Sequence, residues 1–178
     1  MNVLIIYASV EGQTARIARK VKSDLERAGH AVRMVDAQGN EAVSLDDADR
    51  IILAAPVHER RHPRLFEALL TALKPQLEAR STLLISVSLS AAFPEGLEEA
   101  GEYVTELKMR TGFTPSAELL VAGAVRTGHY DYFATQVLRH VLMRGRDFDP
   151  EGEGHEFTEW TALRAGLSAF MAQERVMT

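Results

Sequence analysis

The chain contains no cysteine among its 178 residues. Disulfides, thiolate metal sites, iron–sulfur clusters and cysteine nucleophiles are therefore excluded, and any redox chemistry must come from a bound cofactor. Basic residues are in the minority, with 20 against 25 acidic residues and a net charge of -5. A global electrostatic attraction to nucleic acid or to anionic lipid is therefore not predicted.

Apolar stretches long enough to span a bilayer are also missing, and no basic segment precedes the first apolar run, VLIIYA from Val3. The sequence therefore predicts a cytoplasmic location. With 178 residues and 46% hydrophobic composition, the chain can bury a good core but is short for two independent domains. We expect a single domain over residues 1–178.

Short apolar runs recur along the chain and mostly lack strict alternation, which is typical of strands buried on both faces of a parallel sheet. They begin at Val3, Ala31, Arg50, Thr82 and Leu119. Between these runs, groups of apolar residues recur with helical spacing, and each group predicts a helix. The groups are Ile17, Val21 and Leu25; Leu65, Leu69 and Leu73; Leu97, Val104 and Leu107; and Trp160, Leu163, Leu167 and Phe170. Only the second crossover, EAVSLDDA, gives a weak helical pattern, because it is barely two turns long. The alternation predicts an α/β fold with an open, doubly wound parallel sheet.

An insertion, residues 127–154, separates the last apolar run from a short strand-like segment, HEFTE, and the final helix. Within it, residues 132–144 predict an amphipathic helix with a basic polar side and an apolar stripe of Phe133, Val137 and Val141. We favour packing of this stripe on the body or on a dimer partner, because surface helices usually bury a stripe. Peripheral contact with a membrane surface is the alternative left open.

A second feature follows the first strand, where Ser9–Thr14, S-V-E-G-Q-T, leads directly into a helix. The first amides of such a helix and its dipole favour an anion in the loop. Ser9 and Thr14 add hydroxyl donors, and Gly12 lets the backbone approach closely. Because the loop has neither a lysine nor the three-glycine fingerprint, a single terminal phosphate fits better than a nucleoside triphosphate or a dinucleotide. The alternative is that Ser9 only caps the helix and Gly12 only makes a turn.

The segment HERRH, residues 58–62, matches the zinc-binding pattern H-E-x-x-H. That pattern requires a helix, because only then do histidines four apart face the same way. Here the segment follows a strand directly, and Pro63 disfavours helical geometry at His62. We therefore predict no metal site and place HERRH in the loop after the third strand, at the carboxyl edge of the sheet where ligands bind.

The loop pattern [ST]-x-[TE]-G-x-T after the first strand resembles the FMN-phosphate loop of the flavodoxin family. Within that family the chain is similar to the menaquinone-dependent protoporphyrinogen dehydrogenases over nearly its full length. The stretches that carry this similarity are YASVEGQT (7–14), FEALL (66–70), SVSL (86–89), AGAVR (122–126), HYDYF (129–133) and TEW (158–160). The resemblance implies five parallel strands in the order 2-1-3-4-5. It also implies an FMN-dependent oxidoreductase of haem biosynthesis that takes electrons from a porphyrinogen-like molecule and passes them to a quinone.

The same resemblance implies the residues that hold the cofactor. The phosphate would be held by Ser9, Val10, Glu11, Gly12, Gln13 and Thr14. The isoalloxazine ring would lie between two loops, lined by Pro56, Val57, His58 and Glu59 and by Ser88, Leu89, Ser90, Ala91 and Phe93. Arg126, just past the fifth strand, would close the site together with residues 127–129.

Basic residues cluster in the first of these ring loops, where Arg60, Arg61 and Arg64 accompany His58. Our hypothesis is that they steady the negative charge of reduced flavin or receive an anionic substrate group such as a propionate, with His58, Arg60 and Arg61 as the catalytic candidates. The alternative is that these are solvated loop arginines. The loop departs from the family in having no ring-stacking aromatic residue, which leaves His58 to stack and Phe93 to cover an edge.

Other functions stay open at this point. One is a flavodoxin-type electron carrier, or another flavodoxin-like quinone reductase without porphyrin activity. Another is a partner-binding domain without a cofactor, and a homodimer is also left open. A receiver-type signalling domain is disfavoured because the third strand ends in Ala54, Ala55 and Pro56 rather than in an acidic phosphoacceptor.

Overall fold

A five-stranded parallel sheet forms the centre of the fold in a computed structural model that describes residues 1–125 and 155–174. Its strands lie in the order β2-β1-β3-β4-β5, which confirms the predicted topology. They are β1 Asn2–Tyr7, β2 Ala31–Asp36, β3 Arg50–Pro56, β4 Ser81–Ser88 and β5 Ala117–Ala122. A separate antiparallel pair joins β6 Ala124–Val125 to β7 His155–Glu156, so HEFTE does contain a strand.

Helices cover both faces of this sheet. They are α1 Gln13–Arg27, α2 Arg64–Glu78, α3 Leu97–Thr111 and α4 Trp160–Ala172. α1 and α4 pack on one face and α2 and α3 on the other, which buries the central strands β3 and β4 from both sides. Residues 37–49, the weak second crossover, form turns and coil. Among the described residues, none of the helices combines the length and the apolar character needed to cross a membrane.

The predicted buried faces of α1 and α4 are confirmed. Ile17, Val21 and Leu25 of α1 are at most 3% exposed. In α4, Leu163, Leu167 and Phe170 are buried, while Trp160 lies partly buried against the same core.

The helix predicted from Leu65, Leu69 and Leu73 is confirmed as α2, but its buried face is set by residues one position further along the chain. Leu65 is 59% exposed, whereas Phe66, Leu70 and Leu77 are fully buried. Leu69 and Leu73 pack only at the margin of the core. Both sets have helical spacing, so spacing alone did not decide between them. The arrangement observed removes the large Phe66 ring from water, which stabilises the core more than burying Leu65 would.

The helix predicted from Leu97, Val104 and Leu107 is confirmed as α3, but these three residues do not all face the core. Leu97 is 45% exposed, while Val104 and Leu107 are buried as expected. Ala100 and Tyr103 complete the buried face. Leu97 begins the helix directly after two 3-10 turns, Ser90–Ala92 and Pro94–Gly96, and this approach leaves the first turn at the surface.

A matched pair of substitutions tests the orientation of α2. Leu70→Ala should lower the free energy of unfolding by about 2–5 kcal/mol, because it opens a cavity in a fully buried position. Leu65→Ala, the same chemical change on the same helix, should change it by less than about 0.5 kcal/mol. Urea denaturation measures both values. Equal losses would mean that α2 presents a different face to the sheet.

Candidate functional site at the carboxyl edge of the sheet

The loops that follow β1, β3 and β4 meet at one edge of the sheet, beside the point where strand order reverses between β1 and β3. Open α/β sheets bind ligands at such a switch point. Backbone hydrogen bonds continue past the strand ends and keep these loops side by side. Ala8 N–H donates to Ala54 O at 2.9 Å, and Val57 N–H donates to Val87 O at 2.7 Å.

The loop Ser9–Thr14 is organised by the hydroxyl of Ser9. Ser9 Oγ accepts hydrogen bonds from the amides of Gly12 at 3.1 Å and Ala15 at 3.3 Å. Gly12 precedes α1 with φ 96°, a left-handed conformation that glycine adopts without steric cost. The backbone amide of Ser9 donates to Gln38 Oε1 at 3.2 Å, a support from the segment after β2 that sequence reasoning missed. Ser9 therefore caps the helix and keeps its own hydroxyl hydrogen as a donor.

The chemistry of this loop fits a phosphate. The first turn of α1 contains no acidic residue, and the amides at a helix start lack intrahelical acceptors. The side chain of Thr14 is buried, at 2% exposure. Gln13 is also buried, but its side-chain amide donates to Glu156 and Thr158, so its contribution to a ligand in the loop would come from the backbone.

HERRH forms a tight turn rather than a helix. The amide of His58 donates to Arg61 O at 2.9 Å, and the amide of Arg61 donates to His58 O at 3.1 Å. Between them, Glu59 and Arg60 have φ 49° and 64°, as in a type I′ turn. The helical geometry that two zinc-binding histidines require is therefore not formed by these residues. Within residues 1–125 and 155–174, no group of three or more His, Asp or Glu side chains is placed to hold a metal ion.

Ion pairs on both sides hold this strained turn. Left-handed residues other than glycine cost of order 1–3 kcal/mol each and persist only where their surroundings fix them. Arg60 Nη1 lies 2.8 Å from Glu99 Oε1, and its guanidinium lies over the Tyr103 ring at 5.4 Å. Arg61 Nη2 lies 2.7 Å from Glu67 Oε2. Both arginines are therefore paired with carboxylates, although about half of each side chain stays exposed.

Glu67 is the buried centre of this arrangement, at 4% exposure. Its second oxygen lies 2.8 Å from Arg110 Nη2 of α3. Burial works to raise the pKa of Glu67, but the hydrogen bonds from Arg61 and Arg110 outweigh it and hold the pKa below its ordinary value. The carboxylate therefore stays charged and ties the turn to both α2 and α3.

His62 lies beneath the turn and is 1% exposed. Its Nε2 shares a hydrogen bond of 2.9 Å with Ser86 Oγ of β4, while Nδ1 is buried and has no hydrogen-bond partner among the residues that the structure describes. Burial lowers the pKa of His62 to about 4, with Glu67 acting against this shift and Arg110 adding to it. The imidazole is therefore neutral at ordinary pH and joins the turn to the central sheet.

The loop after β4 brings an aromatic cluster to the same edge. Ser88 Oγ accepts a hydrogen bond from the amide of Ala91 at 3.3 Å. Phe93 is 8% exposed and packs edge-on against Phe157, with ring centroids 5.6 Å apart. Phe157 in turn packs edge-on against His155 at 4.4 Å. The sequence carried no signal for His155 and Phe157, because their contact depends on the pairing of β6 with β7.

The predicted site residues therefore divide by location. The structure brings together the loops that contain Ser9–Thr14, Pro56–Glu59 and Ser88–Phe93 at one edge. Arg126, the insertion at 127–154 and the amphipathic helix predicted for 132–144 lie outside the described residues.

The buried imidazole predicts a specific dependence of stability on pH. The ordinary pKa of 6.5 applies in the unfolded chain and a pKa of about 4 in the folded one. Between these values the unfolded chain binds a proton that the folded protein excludes, so stability should fall as the pH drops from 6.5 towards 4 and this loss should stop below 4. From pH 7.5 to pH 5 the loss should be about 2 kcal/mol.

His62→Gln is the control for this prediction, because it retains a side-chain amide that can bond Ser86 but has no group that titrates in this range. Urea unfolding of both proteins at a series of pH values gives the difference. Parallel pH profiles for the wild type and His62→Gln would contradict the assignment of a buried neutral imidazole.

Comparisons with known proteins agree with this geometry. Protoporphyrinogen IX dehydrogenase (quinone) of Escherichia coli strain K12 is 23% identical over 162 residues, which cover 90% of this chain and 89% of that protein. A flavodoxin from Nitratidesulfovibrio vulgaris strain Miyazaki F is 42% identical over 52 residues, or 29% of this chain and 35% of the flavodoxin.

A solved structure shows the same fold. The flavodoxin of Fusobacterium nucleatum bound to flavin mononucleotide superposes with a TM-score of 0.51 at 12% identity, covering 96% of this chain and 94% of that one. Residues 4–151 also match the family described as the flavodoxin domain. This match spans most of the 178 residues, and the chain therefore belongs to the flavodoxin domain family.

Proposed function

We propose that the chain binds FMN at the carboxyl edge of its sheet and acts as an oxidoreductase that takes electrons from a porphyrinogen-like molecule and passes them to a quinone. The observation that carries the binding of FMN is the uncharged set of donors at the start of α1, beside the switch point of a flavodoxin-like sheet. The similarity to the E. coli dehydrogenase over 90% of the chain supports the substrate and acceptor classes.

The phosphate would be held by the Ser9 hydroxyl and by the backbone amides of Val10, Glu11, Gly12, Gln13 and Thr14. The ring would lie between the Pro56–Glu59 and Ser88–Phe93 loops, and Arg126 remains a candidate to close the site. When bound, FMN supplies the acceptance and release of electrons for which this cysteine-free chain has no group of its own.

The two arginines of the HERRH turn have different proposed roles. Arg61 holds the buried carboxylate of Glu67 and thereby the turn itself. The Arg60 side chain is 53% exposed, and its partner Glu99 is 33% exposed, so this pair is accessible to solvent. Arg60 is therefore the better candidate to receive an anionic group of a substrate, with the exposed side chains of His58 and Arg64 nearby in sequence.

A flavodoxin-type electron carrier is the second candidate function. It is favoured by the 52-residue segment that is 42% identical to a flavodoxin. A carrier exchanges electrons with protein partners and does not turn over a small substrate, so acceptor and donor specificity separates the two functions. The cytoplasmic location and the single domain over residues 1–178 remain predictions, and a homodimer remains an open alternative.

Purified protein should take up one equivalent of FMN, visible as a flavin absorbance spectrum on isolation or after titration. With FMN bound, protoporphyrinogen should reduce the flavin and a quinone should reoxidise it in rapid-mixing experiments. Reduction only by a protein reductase would favour the carrier. If FMN is not taken up under any of these conditions, the proposed function is wrong.

The role of Arg60 is tested by kinetics with a carboxylated substrate. Arg60→Ala should raise KM by about tenfold, because one charge-assisted hydrogen bond is lost, with little change in kcat. Arg19→Ala, an exposed arginine in the middle of α1, is the control and should leave both constants unchanged. Arg61→Ala should instead lower thermal stability, since it leaves the buried Glu67 with Arg110 alone.

An unchanged KM in Arg60→Ala would remove this residue from substrate binding. The pairing with Glu99 and Tyr103 would then be its whole role.

A further inference from the structure

Gln13 is the first residue of α1, directly after the Ser9–Gly12 part of the loop, yet its side chain does not point to solvent and is only 7% exposed. Its amide Nε2 donates to Glu156 Oε1 at 2.7 Å and to Thr158 Oγ1 at 3.0 Å. These partners lie 143 and 145 positions further along the chain. The start of the helix is therefore held by a distant segment and not only by its own loop.

Thr158 links Gln13 to the central sheet. Its hydroxyl accepts from Gln13 and donates to the carbonyl oxygen of Ala122 at 2.6 Å, and the side chain is 7% exposed. Ala122 is the last residue of β5. Next to it, the amide of Phe157 donates to Gly123 O at 3.0 Å, so the segment is fixed by backbone and side chain together.

This chain of contacts spans the carboxyl edge of the sheet. β1 and β5 are separated by β3 and β4, which corresponds to roughly 14 Å at the usual spacing of neighbouring strands. These contacts join the start of α1 to β7 and the segment after it and, through Thr158, to the end of β5. We name the contacts among Gln13, Glu156, Thr158 and Ala122 the edge latch.

Charge in the edge latch is balanced. Glu156 Oε1 lies 3.2 Å from Arg16 Nε, and the Arg16 guanidinium lies 5.7 Å from the centre of the Trp160 ring. The carboxylate can therefore accept from Gln13 without presenting an unpaired negative charge to the phosphate loop. Removal of the Thr158 hydroxyl would leave the buried Gln13 amide with one acceptor fewer and the Ala122 carbonyl without this donor.

We propose that Gln13 and Thr158 are positioning residues for the phosphate loop: through the edge latch, Thr158 fixes Gln13 and with it the first turn of α1, so that the amides that meet a phosphate are aligned before the ligand arrives. A site that is already aligned loses less conformational freedom on binding and therefore binds more tightly. This inference rests on the proposed binding of FMN.

The test compares FMN with riboflavin, which has the same ring but no phosphate. Thr158→Val removes the hydroxyl while keeping the shape of the side chain, and Thr158→Ser restores the hydroxyl. In fluorescence titrations, Thr158→Val should weaken FMN binding by about tenfold and riboflavin binding by less than about twofold. Thr158→Ser should bind FMN within about twofold of the wild type. Gln13→Met is a second variant that removes the same contact from the other side, should Thr158→Val not fold.

Each outcome separates this inference from the proposed function. Wild-type protein that takes up no FMN would overturn both. If the wild type binds FMN and the variants bind it equally well, only the positioning role proposed for the edge latch is overturned. Equal weakening of FMN and riboflavin would also overturn it, because the contact would then support the whole fold and not the phosphate loop.

Discussion

All five strands of the central sheet run parallel, and the position of every loop of the candidate site depends on this constraint. Because the strands run in the same direction, all their carboxyl ends lie at one edge, and a crossover returns the chain after each strand. The reversal of strand order between β1 and β3 then leaves a crevice at that edge. The Ser9–Thr14 loop, the HERRH turn and the loop after β4 come from distant parts of the sequence and meet there for this reason.

Side-chain contacts then hold the loops that meet at this edge of the sheet. The HERRH turn has two residues with positive φ, and ion pairs to Glu67 and Glu99 hold it on opposite sides. Glu67 remains charged although it is buried, because two arginines from different elements donate to it. The edge latch likewise ties the start of α1 to the end of β5, through the hydrogen bonds from Gln13 to Thr158 and from Thr158 to Ala122. The HERRH turn and the Ser9–Thr14 loop are thus both tied to distant parts of the fold by side-chain contacts.

Much of the architecture was predictable because it follows from short-range patterns. Buried runs such as Ile51–Ala55 have the composition of strands covered on both faces, and Ile17, Val21 and Leu25 have the spacing of one helix face. The place of the loop Ser9–Thr14 between a strand and a helix start was predictable from the same patterns, and the anion site inferred for it stays a prediction. HERRH was predictable as a loop rather than a helix, because a strand precedes it and proline follows it.

The sequence by itself determined the fold class and, through family resemblance, the strand order, and it placed the Ser9–Thr14 loop between the first strand and the first helix. It did not determine which of two equally spaced stripes of α2 faces the core, since Leu65 and Phe66 differ in rotation about the helix axis and only packing against the sheet selects one. Nor did it show that Arg60 and Arg61 are paired with Glu99 and Glu67, or that Gln13 is bound by Thr158. Such contacts join residues far apart in sequence, and only the tertiary structure decides them, because side chains meet where the packing of sheet and helices places them.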